Sequence, residues 1–368
     1  MKKKRLKKFL IFTVTNSLMF SILILICIFI PAINVTVKTY YNALSSTFVG
    51  KKAEYQGVIS LWNIDTFEGG SSSKSGFLMA RAQEFEKQNK GAFIKVENLT
   101  VDEMISKLKN NELPHIVSFG SGVGNYFEKQ MLDLNQKFSS ILKSNLYGAG
   151  LKDTKLLAVA WAVSGYSLIS TSEKIEKAGF QYSNNLKELI FKLSYDRKVG
   201  KKSKHINSLT FGGNNYSNAL NSFVNEFVQS PLSLSQDLIL DDSYNVQTYY
   251  DAYCNFIENK SSILYGTGRD LYRMNNRLSA GKLQDFVYEP LEKYTDLVQF
   301  ISVLQSKSDI EKVCRRFVSF LLNKNSQEKL VGIGMCSARK NMQIYKNNML
   351  EKLENSINEN TKIKSAFI

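Results

Sequence analysis

The sequence predicts a two-lobed α/β protein preceded by one N-terminal transmembrane helix. Residues 57–120 alternate strand, helix, strand, helix, strand, the pattern of a parallel sheet with crossover helices. A chain of 368 residues has length for about two domains, and further strand and helix signals continue over 208–304. Residues 9–33 carry no charge and suffice to span a bilayer as a helix.

The elements follow in order. "GVISLWN" (57–63) is rich in β-formers and reads as a strand. In 75–91, Leu78, Ala82 and Phe85 recur at helical spacing and Gly91 is a stop. "AFIKVEN" (92–98) is a second strand. Thr100 with Glu103 forms a capping box for a helix over 100–111. "HIVSFG" (115–120) is a third strand. The apolar run 156–170 reads as one long strand interrupted by Trp161 and Tyr166. "SLTFGG" (208–213) predicts a strand and 215–229 a helix. Residues 261–278 read as a strand, a glycine turn and a helix start, and 295–304 as an apolar strand. Ser308 with Glu311 suggests a second capping box, opening a helix with Ile310, Val313, Cys314, Phe317 and Phe320 on one face. Residues 326–334 form a shorter helix with a glycine stop.

The expected organisation is a basic tail (1–8), an anchor (9–33), a linker (34–54), a first lobe (55–155) and a second lobe (156–260). A return to the first lobe (261–305), second-lobe helices (306–345) and a C-terminal tail (346–368) complete it.

Six of the Lys and Arg residues lie within "MKKKRLKK", so the N-terminus stays cytoplasmic and the main domain is extracytoplasmic. The expected location is the cell membrane, single-pass. The apolar stretch exceeds the 7–15 residues usual in a cleaved signal peptide. The net charge is +15, but beyond the N-terminus the cations are scattered among acids, which argues against nucleic-acid binding. Cys27, Cys254, Cys314 and Cys336 show no CxxC or His spacing, so neither a disulfide framework nor a metal site is indicated. His115 and His205 are isolated, with no nucleophile-elbow or metal-helix motif around them. No cofactor and no catalytic residue is expected.

The loop "WNIDTFEGGSSSKS" (62–75) superficially suggests a phosphate cradle. Aligned to a P-loop it puts Glu68 and Ser73 where glycines are required, and it lies on the side of the membrane without ATP. Its position matters more: in open α/β sheets ligands bind beyond the carboxyl ends of the strands. This loop and the one at 120–126 both qualify.

The stretches 57–91, "LPHIVSFGSGVG", "AVAWAVSGYSLI", "YGTGRDLYRMNNRL", "YTDLVQFISVL" and "FVSFLLNKNSQEKLVGIGM" resemble the extracellular solute-binding proteins of bacterial ABC importers, sugar-binding-like group. The resemblance spans about residues 57–335. It implies a periplasmic-binding-protein-like fold with crossover hinge strands, a cleft that closes around a solute, and delivery to ABC permease subunits. The chain departs from the family pattern at Ala160, where a proline often precedes the hinge tryptophan, and in its anchor, where many members are lipoproteins or secreted.

Sugars stack on aromatic faces and hydrogen-bond to planar polar groups. Trp62 and Trp161, the only tryptophans, are therefore candidate ligand contacts or core aromatics. Asp65 and Glu68 could accept hydroxyl hydrogen bonds or cap the next helix. Ser118, Gly120 and Ser121 offer backbone N–H groups or a plain turn. Arg269 and Asp270 read as a hydroxyl- or carboxylate-binding fork or a structural pair. Tyr166, Tyr216 and Tyr265 complete the candidates. Two other functions fit the same residues: a ligand sensor for a membrane signalling partner, or a glycoside hydrolase using Asp65 and Glu68.

Overall fold

The computed structural model describes residues 51–134, 136–177, 185–190, 209–212, 225–227, 246–247, 249–346 and 348–367. The expected anchor, His205 and Tyr216 lie outside them. Among the described residues, no helix is long and apolar enough to cross a membrane.

Two sheets form from β1 (Lys51–Ile64), β2 (Asn89–Leu99), β3 (Ile116–Gly120), β4 (Val159–Val163), β5 (Tyr166–Ser170), β6 (Leu209–Gly212), β7 (Val246–Gln247), β8 (Ile263–Thr267), β9 (Val287–Pro290), β10 (Val298–Val303) and β11 (Cys336–Ser337). The first sheet has the order β11-β4-β10-β3-β1-β2, the second β9-β5-β8-β6-β7. In the first, β1 lies between β2 and β3 and is parallel to both, while β10 is antiparallel to β3 and β4 to β10. In the second, β6 lies between β7 and β8 and is parallel to both, while β5 is antiparallel to β8 and β9 to β5. The lobes thus repeat one topology.

The first lobe is built as the periodicity requires. Helix α1 (Lys74–Gln88) buries Phe77, Leu78, Ala82 and Phe85, and Ser73 caps it by accepting from the Gly76 N–H. Helix α2 (Val101–Lys109) has the expected Thr100–Glu103 capping box, a device worth about 1 kcal/mol. In the second lobe, α3 (Tyr249–Ile257) and α4 (Gly268–Ser279) pack on the sheet. Thr267 and Asp270 form a capping box on α4 that the sequence reading missed. Helix α5 (Ser308–Leu321) starts at Ser308 itself and has no side-chain cap; Glu311 instead accepts from the Ser306 N–H, so the second expected box does not form.

The lobe boundaries differ from expectation. Within the run 156–170, Leu156 ends a short hairpin strand and Val159–Val163 and Tyr166–Ser170 are strands of the two large sheets, so the chain changes lobe at Ser164–Gly165. Strand β8 and helix α4 belong to the second lobe, and the chain returns to the first only through Leu291–Leu297. Helix α5 packs on β1, β10 and α1, because its apolar face meets the first-lobe core; Phe317 and Phe320 pack edge-on to Phe85 at 5.4 and 5.6 Å. It is therefore a first-lobe helix. The expected C-terminal tail is a structured strap. Its helix α6 (Glu351–Ser356) packs on β9, Lys362–Ile363 pairs with Tyr294–Thr295 in the crossover, and Ala366 donates to Ala149 O in the first lobe.

His115, just before β3, ties that strand to β1. The Ser60 N–H donates to its Nδ1 at 3.0 Å, so Nδ1 carries the lone pair and Nε2 the proton. Burial lowers its pKa below 6.5. A depressed pKa means stability that is complete above pH 6.5 and lost as pH falls toward the folded-state value. Melting curves of wild type and His115→Gln should therefore converge below pH 6.5. A difference that stays constant with pH would refute this.

Candidate functional site

The loop beyond the carboxyl end of β1 carries the site. A pocket of about 330 Å³ is lined by residues 65–69 and 71–74 from the loop after β1, and by Arg269 from the start of α4. It lies between the lobes, and the sequence-predicted Asp65, Glu68 and Arg269 meet in it.

A buried polar cluster supports its first-lobe wall. Ser118 Oγ donates to Asn63 Oδ1 at 3.1 Å, Trp161 Nε1 donates to Ser118 Oγ at 3.2 Å, and Gln299 Nε2 donates to both Ser118 and Asn63. The Asn63 amide donates to Asp65 Oδ1 at 3.2 Å and the Asn98 amide to Asp65 Oδ2 at 2.9 Å. The Asp65 carboxylate is thus fixed from below, and Lys74 Nζ stands 3.5 Å from it. Lys74 is 1 % exposed; its ammonium bonds Phe67 O and sits 3.6 Å over the Phe67 ring. Burial pushes its pKa down to about 8, against the raising pull of Asp65.

Charge also crosses between lobes. Glu68 Oε2 lies 3.4 Å from Arg269 Nε and 3.1 Å from Arg273 Nη2, and Arg269 Nη1 donates to Gly70 O at 3.2 Å. Arg273 also pairs with Asp270 at 2.9 Å. Asp270 is buried, and desolvation raises its pKa despite the Thr267 N–H and Arg273. Its partner is Arg273, one helical turn on, rather than Arg269. A hydrolase needs one of a pair of carboxyl groups as proton donor; here Asp65 and Glu68 are each ion-paired.

The other candidates lie elsewhere. Trp161 is 0 % exposed and stacked on Phe77 at 5.3 Å; Trp62 is 3 % exposed, with Lys107 of α2 5.4 Å from its ring. Both are core residues off the pocket wall. Ser118 belongs to the buried cluster, and Gly120 is there because any Cβ would strike the Thr66 side chain. Ser121 Oγ donates to Asp296 O at 2.9 Å, and Tyr166 Oη donates to Asp296 Oδ1 at 2.7 Å, so both serve the crossover. Tyr265 is buried against Tyr166, ring centroids 4.9 Å apart. Lys74 and Arg273 were missed. Arg273 was legible as the residue four on from Arg269, on the same helix face.

No protein-family model and no curated protein sequence matches the chain. Solved structures do. The GacH receptor of Streptomyces glaucescens, determined unliganded and with acarbose, is 15% identical with a TM-score of 0.59, over 85% of this chain and 89% of that one. An ABC substrate-binding protein of Listeria monocytogenes in complex with cycloalternan is 14% identical, TM-score 0.56, over 82% and 86%. Iron-bound HitA of Pseudomonas aeruginosa is 12% identical, TM-score 0.52, over 82% and 95%. At such identities the likeness is one of fold. The chain has the two-lobed α/β fold of the ABC substrate-binding proteins, as its sequence resemblance implied.

Proposed function

We propose that this protein is a membrane-tethered, extracytoplasmic solute-binding protein that captures a sugar or similar polar solute between its lobes for an ABC importer. The observation that carries the reading is Arg269: a second-lobe side chain closes a pocket whose other walls belong to the first lobe. Closing two lobes on a solute is the motion this architecture allows. The carbohydrate assignment is supported by structural neighbours solved with acarbose and cycloalternan. HitA, bound to iron on the same fold, shows why fold alone does not choose the ligand. Residues 9–33 supply the tether.

The described wall alters the expected recognition mode. Its aromatic ring, Phe67, is covered by the Lys74 ammonium, so the groups lining the pocket for a solute are the hydroxyls of Thr66, Ser71, Ser72 and Ser73 and the charged Asp65, Glu68 and Arg269. Mass spectrometry of solute co-purifying with the detergent-solubilised chain, followed by melting with a carbohydrate panel, tests the proposal. A true ligand at 100 times its Kd adds about 2.7 kcal/mol of stability. Arg269→Ala should weaken binding about ten-fold or more, the loss of a charged hydrogen bond. A panel giving no shift would overturn the sugar assignment.

A further inference from the structure

The charged groups at the mouth of the pocket are already ion-paired with one another, and the pairing crosses the cleft. Glu68 belongs to the loop after β1, whereas Arg269 and Arg273 belong to α4, which packs on β5 and β8 of the other lobe. Arg269 sits at the crossover end of α4, beside Gly268, where an added Cβ would lie 3.1 Å from Ser164 Oγ. Arg273 is a helical turn farther out, so opening the lobes stretches the Glu68–Arg273 pair more than the Glu68–Arg269 pair. Arg273 is held for this contact. Buried Asp270 fixes Nη1, leaving Nη2 directed at Glu68.

We propose that Glu68 with Arg269 and Arg273 is an interlobe latch that draws the lobes together before any solute arrives. The closed form gains ion pairs that the open form hands back to water. The pairs are partly exposed: Glu68 is 56 % accessible and Arg273 16 %. An isolated pair of this kind contributes little, but one carboxylate shared by two oriented guanidinium groups forms a network. Partial exposure also makes the latch sensitive to salt, since the screening length falls from roughly 30 Å at 0.01 M to about 3 Å at 1 M. Closure then has two contributions. One comes from the chain's own charges, and the other from a solute bridging the pocket. A pre-closed population weakens apparent affinity if solute enters only the open form, so the latch would set how much of the protein is receptive.

The test uses no solute, so its failure is separable from failure of the solute-binding reading. Spin labels are placed through Lys95→Cys on the first lobe and Gln284→Cys on the second, in the full chain in detergent with Cys27→Ser and Cys254→Ser. Pulsed dipolar distances are recorded at 20 mM and 500 mM salt. The wild-type chain should show a dominant short distance at low salt, with the closed-to-open ratio falling about five-fold in Glu68→Gln. High salt should bring wild type to the ratio of Glu68→Gln while leaving that variant nearly unchanged. Glu68→Asp should fall between them. Melting curves confirm that the variants fold, as expected for a half-exposed loop residue. Equal distance distributions for wild type and Glu68→Gln, or no salt response in wild type, overturn the latch. An open distribution in the solute-free wild type does so too.

Discussion

Trp161→Ala is expected to lower stability by about 3–5 kcal/mol, read as a shift in denaturation midpoint at unchanged m-value. The side chain is fully buried on β4, stacks on Phe77 with an interplanar angle of 7°, and donates to Ser118. Removing it leaves a cavity beneath α1 and takes from Ser118 Oγ one of its two donors, the other being Gln299 Nε2. The damage should propagate to the pocket, because Ser118 holds Asn63 and Asn63 holds Asp65. Trp161→Phe separates the two effects. It keeps an aromatic ring against Phe77 but removes the indole donor, so the expected loss is about 1–2 kcal/mol. If the cluster orients Asp65, this milder variant should still weaken solute binding. Equal stability of wild type and Trp161→Ala would show that the core relaxes around the site and that the stack contributes nothing.

Trp161 also shows where sequence reading stopped. Alternation and helical spacing in 57–120 located the first-lobe strands and helices, because one buried face per element leaves a periodic record. Asp65 and Glu68 were legible for a topological reason, since residues just beyond the carboxyl ends of such strands face a ligand crevice; Arg269 stood out only as the arginine after a glycine turn. The tryptophans stayed open between ligand platform and core because ring chemistry is the same in both. Which one a residue serves depends on what packs against it, here Phe77 and the covering Lys107. The change of sheet at Ser164–Gly165 was hidden for a related reason. β4 and β5 are both buried throughout, so the run 156–170 stays apolar across the crossover. The strap left still less trace, because its bonds to Lys293, Thr295 and Ala149 use the backbone, which every sequence supplies.

That strap gives the second large prediction. Ending the chain after Ser356 should destabilise both the first lobe and the crossover. Lys362 and Lys364 donate to Lys293 and Thr295, and Gly122 and Gly124 donate to Ser365 and Ala366, so truncation orphans donors in the first lobe as well as acceptors in the crossover. Ser121 Oγ also reaches Lys364 O at 3.3 Å, adding a side-chain contact across the same seam. Phe367, 5 % exposed against Gly124, is the apolar end of the strap. Phe367→Ala in the full-length chain is expected to cost about 3–5 kcal/mol by itself, and the truncation more. The two variants differ in kind. Phe367→Ala leaves the strap's pairing with Tyr294–Thr295 in place, so unfolding should stay a single transition. Truncation removes a covalent run that leaves the second lobe at α6, pairs with the crossover and ends in the first lobe. With it gone, the lobes are joined through Ser164–Gly165, Leu291–Leu297 and the chain between β11 and α6. Separate melting of the two lobes is therefore expected, read as a calorimetric enthalpy exceeding the van't Hoff value. A truncated chain that melts as one unit near the wild-type temperature would mean that the crossovers alone couple the lobes and that the strap is dispensable.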